Sequence, residues 1–255
     1  MTRRAQCRRR RWAICSAREG VPISQAKYDP AEAFRQLRDP DAGVRLLGAG
    51  WVHRQSLAEV NRWSDPWLRA PVTIDLLLPA LSDPDPRVAE EAVGAAWGIV
   101  TRFRRDDRLL DPAVALLTSD RPKTRARAAG VVAQFGPGQS AEHLLRLFSD
   151  PDKAVRVAVL DATHQACWGW PESYQQQVRA AALERLQDRA MDIRCLAALL
   201  LIVVGGYEDL PALKACLVGV KGANYRQDFR ESIRALQARR TTGLQAPRPQ
   251  SRTGN

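Results

Sequence analysis

The side chains of this chain whose types and spacing could do chemistry are few: Trp97, Asp161, His164 and Trp168, joined by Glu90 and His53. They offer ring faces, imidazole nitrogens and carboxylates, a set suited to holding a partner. Catalytic groupings are scarce. The three histidines, His53, His143 and His164, stand far apart, and none opens an HExxH motif or a His-Glu pair. No GxSxG, P-loop or GxGxxG segment occurs, so neither a nucleophile elbow nor a phosphate cradle is encoded. Glu90 and Glu91 are adjacent on a predicted helix and point about 100° apart, which makes a poor acid/base couple and reads as a solvated edge. The five cysteines, Cys7, Cys15, Cys167, Cys195 and Cys216, are odd in number and form no CxxC pair. That pattern fits a reducing cytoplasm, with Cys195 and Cys216 as small core residues. No catalytic residue, metal or cofactor is assigned.

The frame for these residues is a repeated phrase: an Asp turn, a branched apolar residue, usually an Arg, then a helix of small residues. It reads DPDAGVRLLGAGWV from Asp39, DPDPRVAEEAVGAAW from Asp83, DPDKAVRVAVLDA from Asp150 and DRAMDIRCLAAL from Asp188, with a degenerate copy, DRPKTRARAAGVVA, from Asp120. The residues that lead the helices are Val44, Val88, Thr124, Val155 and Ile193, at intervals of 44, 36, 31 and 38. Such spacing suits antiparallel helix pairs and excludes a heptad coiled coil. Asp before Pro ends one helix and is expected to cap the next, with Pro in its first turn. The phrase predicts six pairs: 30–38 with 42–54, 71–81 with 86–103, 109–118 with 123–135, 140–149 with 153–168, 172–187 with 190–204, and 208–219 with 224–240. The long connection at 54–70 reads as an insertion carrying Trp63 and Trp67. No strand-like alternation is found, so the fold class is all-α.

The phrase resembles the HEAT repeat, in the short bacterial form similar to the repeats of phycobilisome lyases, over about residues 30 to 240. Two departures stand out: Ala89 replaces the expected Arg, and the Asp120 copy is one residue short. The resemblance implies a right-handed α-solenoid of about six antiparallel helix pairs. It also implies that Arg45, Arg125, Arg156 and Arg194 form a structural ladder with Asp39, Asp83, Asp150 and Asp188.

With each lead residue numbered zero, position nine holds His53, Trp97, Ala133, His164 and Ile202. Position six holds Gly50, Gly94, Gly130, Asp161 and Leu199, position two includes Glu90, and position thirteen adds Thr101 and Trp168. With the core face set at zero, three, four, seven and eight, these offsets are expected to line one exposed, concave side. The expected partner-binding residues are therefore Trp97, Asp161, His164, Trp168, Glu90 and His53. Packing of the two Trp between repeats is the competing reading.

The formal charge of +11 is carried mainly by the ends: residues 1–20 contribute +6 and 239–255 contribute +4, leaving +1 for 21–238. The basic runs at Arg102, Arg104, Arg105 and Arg108, and at Arg121, Lys123, Arg125 and Arg127, read as solvated helix ends, with phosphate contact as the alternative. Residues 1–25 are expected to be a disordered Arg-rich extension, of which 1–20 reads as an over-called start with initiation at Val21. Residues 26–240 form the solenoid, and 241–255 a disordered tail. No signal-peptide core is found, and the longest apolar run, Cys195 to Val204, is too short to span a bilayer. The expected function is a non-catalytic cytoplasmic scaffold, adaptor or inhibitor of a bacterial cell, an immunity-type protein among them, monomeric and binding another protein through its concave face. A DNA-binding protein resembling HEAT-like alkylpurine DNA glycosylases is the alternative, and a bilin-lyase-like chaperone the weaker one.

Overall fold

The computed structural model describes residues 30–57, 66–103 and 105–242. The helices are α1 (Pro30–Gln36), α2 (Ala42–Leu57), α3 (Pro66–Arg69), α4 (Pro71–Leu81), α5 (Pro86–Arg102), α6 (Leu110–Leu116), α7 (Pro122–Val132), α8 (Pro137–Leu147), α9 (Lys153–Ala166), α10 (Glu172–Arg185), α11 (Met191–Val204), α12 (Leu210–Val218) and α13 (Ala223–Thr242). Among the described residues there is no strand. The pairs α1/α2, α4/α5, α6/α7, α8/α9, α10/α11 and α12/α13 stack into an all-α solenoid.

The Asp turn divides its work between two acids. Asp39, Asp83, Asp150 and Asp188 do not cap the helix that follows. Each accepts the N–H two residues on, from Asp41 (2.8 Å), Asp85 (2.9 Å), Asp152 (2.8 Å) and Ala190 (2.8 Å). The cap falls to the second acid where there is one: Asp41 accepts the N–H of Val44 (3.0 Å), Asp85 that of Arg87 (2.8 Å) and Asp152 that of Ala154 (2.7 Å). The first acid is thereby left to meet the arginine of the preceding repeat. Arg45 holds Asp83 with Nε at 2.6 Å and Nη2 at 3.0 Å, Arg125 holds Asp150 at 2.8 and 2.8 Å, and Arg156 holds Asp188 at 3.1 and 3.5 Å. Each guanidinium also donates Nη1 to a carbonyl of its own turn, of Asp39, Ser119 and Asp150 respectively. These two-pronged contacts tie successive repeats together.

Two members of the expected ladder do not pair this way. Asp39 precedes the first arginine of the ladder and meets no arginine of another repeat among the described residues. Arg194 meets no carboxylate among the described residues, because Val220 stands where an Asp would be: Arg226 donates to the Val220 carbonyl (2.8 Å) as Arg45 does to that of Asp39. The Nε of Arg194 is buried without a partner.

The core is continuous along the stack. Val88, Val155 and Ile193 lead their helices into it with no exposed surface, alongside small residues such as Ala92, Ala96, Ala128 and Ala198. Cys167, Cys195 and Cys216 are buried thiols, and burial pushes Cys167 up to about 12. The second helices of successive pairs pack closely on one another, whereas the first helices touch only lightly. A stack tighter on one side curves toward that side, so the second helices form the inner wall.

The end of the connection expected as an insertion, residues 66–70, packs on the first pair. In α3, Trp67 stacks on Trp51 with ring centroids 4.9 Å apart and meets Phe34 edge-on at 5.8 Å, while Leu68 is buried. Residues 58–65 with Trp63, the N-terminal extension with its proposed start at Val21, and the tail past Thr242 lie outside the described residues.

Candidate functional site

On the second helices the solvent-facing strip does not run where the expected core face would put it. Position three belongs to it throughout and position ten in part: Leu47 is 61% exposed, Arg54 and Gln165 are exposed, Glu91, Arg127, Ala158 and Leu196 are half-buried, and Gly98 and Val203 at position ten are buried. The position before the lead (Arg87, Lys123, Ala154) is exposed as well. Positions six and thirteen share this face because all five offsets fall within one arc of a helix with 3.6 residues per turn. Asp161, Leu199 and Trp168 are accordingly half-buried on it.

Positions two and nine instead face the neighbouring second helix. His53, Glu90 and His164 are therefore buried, at 7%, 4% and 9% exposure, and do not line an open groove. The physical reason is the stack itself: besides its own partner an inner helix meets the second helices of the adjoining pairs, one for α2 and two for α5 and α9, so it has more buried circumference than an isolated pair. The glycines at position six receive the large residues at position nine. A Cβ on Gly94 would lie 2.6 Å from His53 Nε2, and one on Gly130 would lie 2.5 Å from Trp97 Cδ1. Trp97, half-buried, thus fills the seam above Gly130.

The first half of the strip is closed by charge. Glu90 takes Arg121 Nε at 2.7 Å and Lys123 Nζ at 3.3 Å. Glu91 takes Arg127 at 3.1 Å and His53 Nδ1 at 2.6 Å, and Arg127 also donates to the Glu90 carbonyl at 2.7 Å. The acidic pair expected to be a solvated edge is thus held between repeats, because position two faces the basic start of α7. Burial alone would raise the Glu91 carboxyl, but the His53 hydrogen bond and the Arg127 charge bring it down to about 2. Burial lowers His53, against the pull of Glu91. Both basic runs meet groups of the same chain. Arg102 donates to the Ser56 carbonyl (2.6 Å), Arg105 pairs with Asp107 (3.2 Å), and Arg108 binds Asp75 (2.7 Å) and Asp106 (2.9 Å). Arg104 lies outside the described residues.

The second half, on α9 and α11, is apolar and acidic. Ala158 lies one turn before Asp161 on α9, Leu196 and Leu199 hold the matching positions on α11, Asp161 accepts from Gln165 Nε2 at 2.8 Å, and Asp192 before the α11 lead pairs with Lys153 at 2.7 Å. His164 lies beneath Trp168 in an edge-to-face contact of 6.3 Å. Trp168 also borders a cleft of about 350 Å³ whose polar wall includes Glu172, Gln175, Arg179 and Arg239. Arg179 is held by Asp209 (2.6 Å) and Glu208 (2.8 Å), and Arg239 donates to the carbonyls of Gly205 and Ile202 at the end of α11. Sequence reasoning missed Leu47, Glu91, Arg127, Ala158 and Leu196; the charges of Glu91 and Arg127 at position three were the signal that this position faces water. Among the described residues no three His, Cys, Asp or Glu side chains are arranged to hold a metal ion, and no helix is long and apolar enough to cross a membrane.

Solved structures place this architecture among helical repeat proteins. A designed armadillo repeat protein in complex with the peptide (KR)4 superposes with a TM-score of 0.62 at 16% identity, covering 82% of this chain and 100% of that one. Computationally designed armadillo repeat proteins for modular peptide recognition give 0.60 at 16% identity, with 82% and 100% covered. The archaeal HEAT-like repeats protein from Thermococcus onnurineus NA1 gives 0.60 at 15% identity, over 82% of this chain and 87% of its own. The fold is that of HEAT-like and armadillo-type repeats. No protein-family model matches the chain, and no curated relative matches its sequence.

Proposed function

We propose that this chain is a non-catalytic cytoplasmic interaction scaffold, acting as an adaptor or an inhibitor, that holds an extended segment of another protein along the C-terminal half of its inner strip. The observation that carries this reading is the grouping on one face of half-buried Trp168, Leu199, Leu196 and Ala158 around Asp161, beside the 350 Å³ cleft. Half-buried aromatic and aliphatic groups next to a single acid form an anchor of the kind that dominates binding energy at interfaces. An apolar side chain of the partner sits against Trp168 and Leu199, and a basic or amide group meets Asp161. Repeat proteins of the same fold designed for peptide recognition support a linear partner. Trp97, His53, Glu90 and His164 shape the wall from inside the seams and have no direct contact role in this reading.

Selection of extended peptides from a displayed library on the full chain tests it. The expected outcome is enrichment of peptides whose affinity falls at least about tenfold with Trp168→Ala or Asp161→Lys, at unchanged melting temperature. Peptides that bind both variants as tightly as the parent chain, or no enrichment at all, would count against it.

A further inference from the structure

The ladder has a missing rung between the second and third pairs, and the space it leaves is shaped for what is missing. In the intact rungs an arginine one residue after the lead sends Nη1 to the carbonyls of its own turn: Arg45 to Asp39 (2.9 Å) and Pro40 (2.8 Å), Arg156 to Asp150 (2.7 Å) and Pro151 (3.1 Å). At the second repeat that arginine is Ala89, so the corresponding carbonyls, of Asp83 and Pro84, accept no hydrogen bond from the described residues. The acid that would have faced it is also replaced. Ser119 occupies its place, accepting the Arg121 N–H (3.3 Å) on its hydroxyl and Arg125 Nη1 (2.7 Å) on its carbonyl, the same two bonds that Asp39 makes in its turn.

Both side chains of the rung are shortened together, and a cavity of about 250 Å³ lies there, lined by Asp83, Pro84, Ala89 and Ser119 among others. Its apolar walls are Leu81 and Leu116, and its rim is the exposed Ser82, Pro84 and Ala115. We infer that this cavity is a socket for the guanidinium of an arginine supplied by a partner protein. A guanidinium is flat, presents several N–H groups in a fixed fork and is weakly hydrated, so it fits carbonyl acceptors between apolar walls. A lysine ammonium is a compact, strongly hydrated charge and fits them less well. The open rim leaves the cation partly solvated, which matters because Ser119 brings no countercharge and the Asp83 carboxylate is already held by Arg45. The socket lies on the edge that carries the turns, away from the inner strip, and stands independently of the peptide-binding reading.

The experiment titrates N-acetyl-arginine amide into the full chain and follows the methyl resonances of Ala89, Ala115 and Leu116, with the uncharged citrulline analogue and the lysine analogue as controls. The socket predicts saturable shifts at these methyls with the arginine probe, at least about tenfold weaker binding of the controls, and loss of the response in Ala89→Arg, whose own guanidinium completes the rung. Ala115→Phe, at the exposed rim, blocks entry without touching the acceptors and serves if Ala89→Arg fails to fold. Absence of a saturable shift, equal binding of the citrulline or lysine probe, or undiminished binding in the rim variant would overturn the assignment.

Discussion

Around α2, α5 and α7 the inner strip is stitched shut: Glu90 and Glu91 face Arg121, Lys123, Arg127 and His53. On α9 and α11 position three holds Ala158 and Leu196 and position six Asp161 and Leu199, so that this half carries more apolar area beside Trp168, with Asp192 before the α11 lead paired to Lys153 at 2.7 Å. The ladder on the other edge shows a parallel contrast. The junction of the second and third pairs has lost both arginine and acid, while that of the fifth and sixth has lost only the acid, stranding Arg194. One repeat phrase thus yields a half crossed by many charge pairs and a more apolar half. The lesson is that removing a charge pair whole is tolerated, whereas removing one partner leaves a group without compensation.

The largest expected effect breaks an intact rung. Arg156→Ala removes a guanidinium that is 7% exposed from an equally buried Asp188 and from two turn carbonyls. It should cost about 3–5 kcal/mol in denaturant unfolding, as for other buried pairs broken on one side. Next in size is the acid sensitivity of the stitched half. The Glu91 carboxyl lies lower in the folded chain than in the unfolded one, so its contribution is present above the ordinary carboxylate value and is lost as pH falls toward about 2. His53, also lowered, acts in the same direction, losing stability as pH falls below its ordinary value. Glu91→Gln should flatten the acid limb of the stability profile by about 2 kcal/mol, and an unchanged limb would remove the charge network from the account.

Smaller again is the effect on the more apolar half. Trp168→Ala should weaken a selected peptide about tenfold, which is about 1.4 kcal/mol, while changing the melting temperature little. A large loss of stability would instead make Trp168 a core residue. The smallest effect belongs to the broken rung. Arg194→Met should lie within about 0.5 kcal/mol of the parent or above it, since the guanidinium it removes has lost its carboxylate. A cost as large as that of Arg156→Ala would show that Arg194 has a partner after all.

The fold was legible because the Asp turn and the branched lead residue recur with enough regularity to set helix number and order. The register of the wall was not. Counting position three as core treats each inner helix as having one packing partner, whereas the stack supplies two for α2 and three for α5 and α9, and that shift turned His53, Glu90 and His164 inward and brought Leu47, Ala158 and Leu196 out. Asp161 and Trp168 sat on offsets that survive either register. Ala89 was visible as a departure, but its consequence was hidden, because the degenerate copy was anchored on Asp120. Counting back five from Thr124 reaches Ser119, the residue that occupies the acid's place.

The contrast between the halves is tested most directly by methyl NMR of the full chain with a selected peptide. The resonances of Ala158, Leu196 and Leu199 are expected to shift with a common saturation curve, the Trp168 indole with them, while Val88 and Val131 stay in place. Shifts confined to α2, α5 and α7, with α9 and α11 silent, would contradict that contrast.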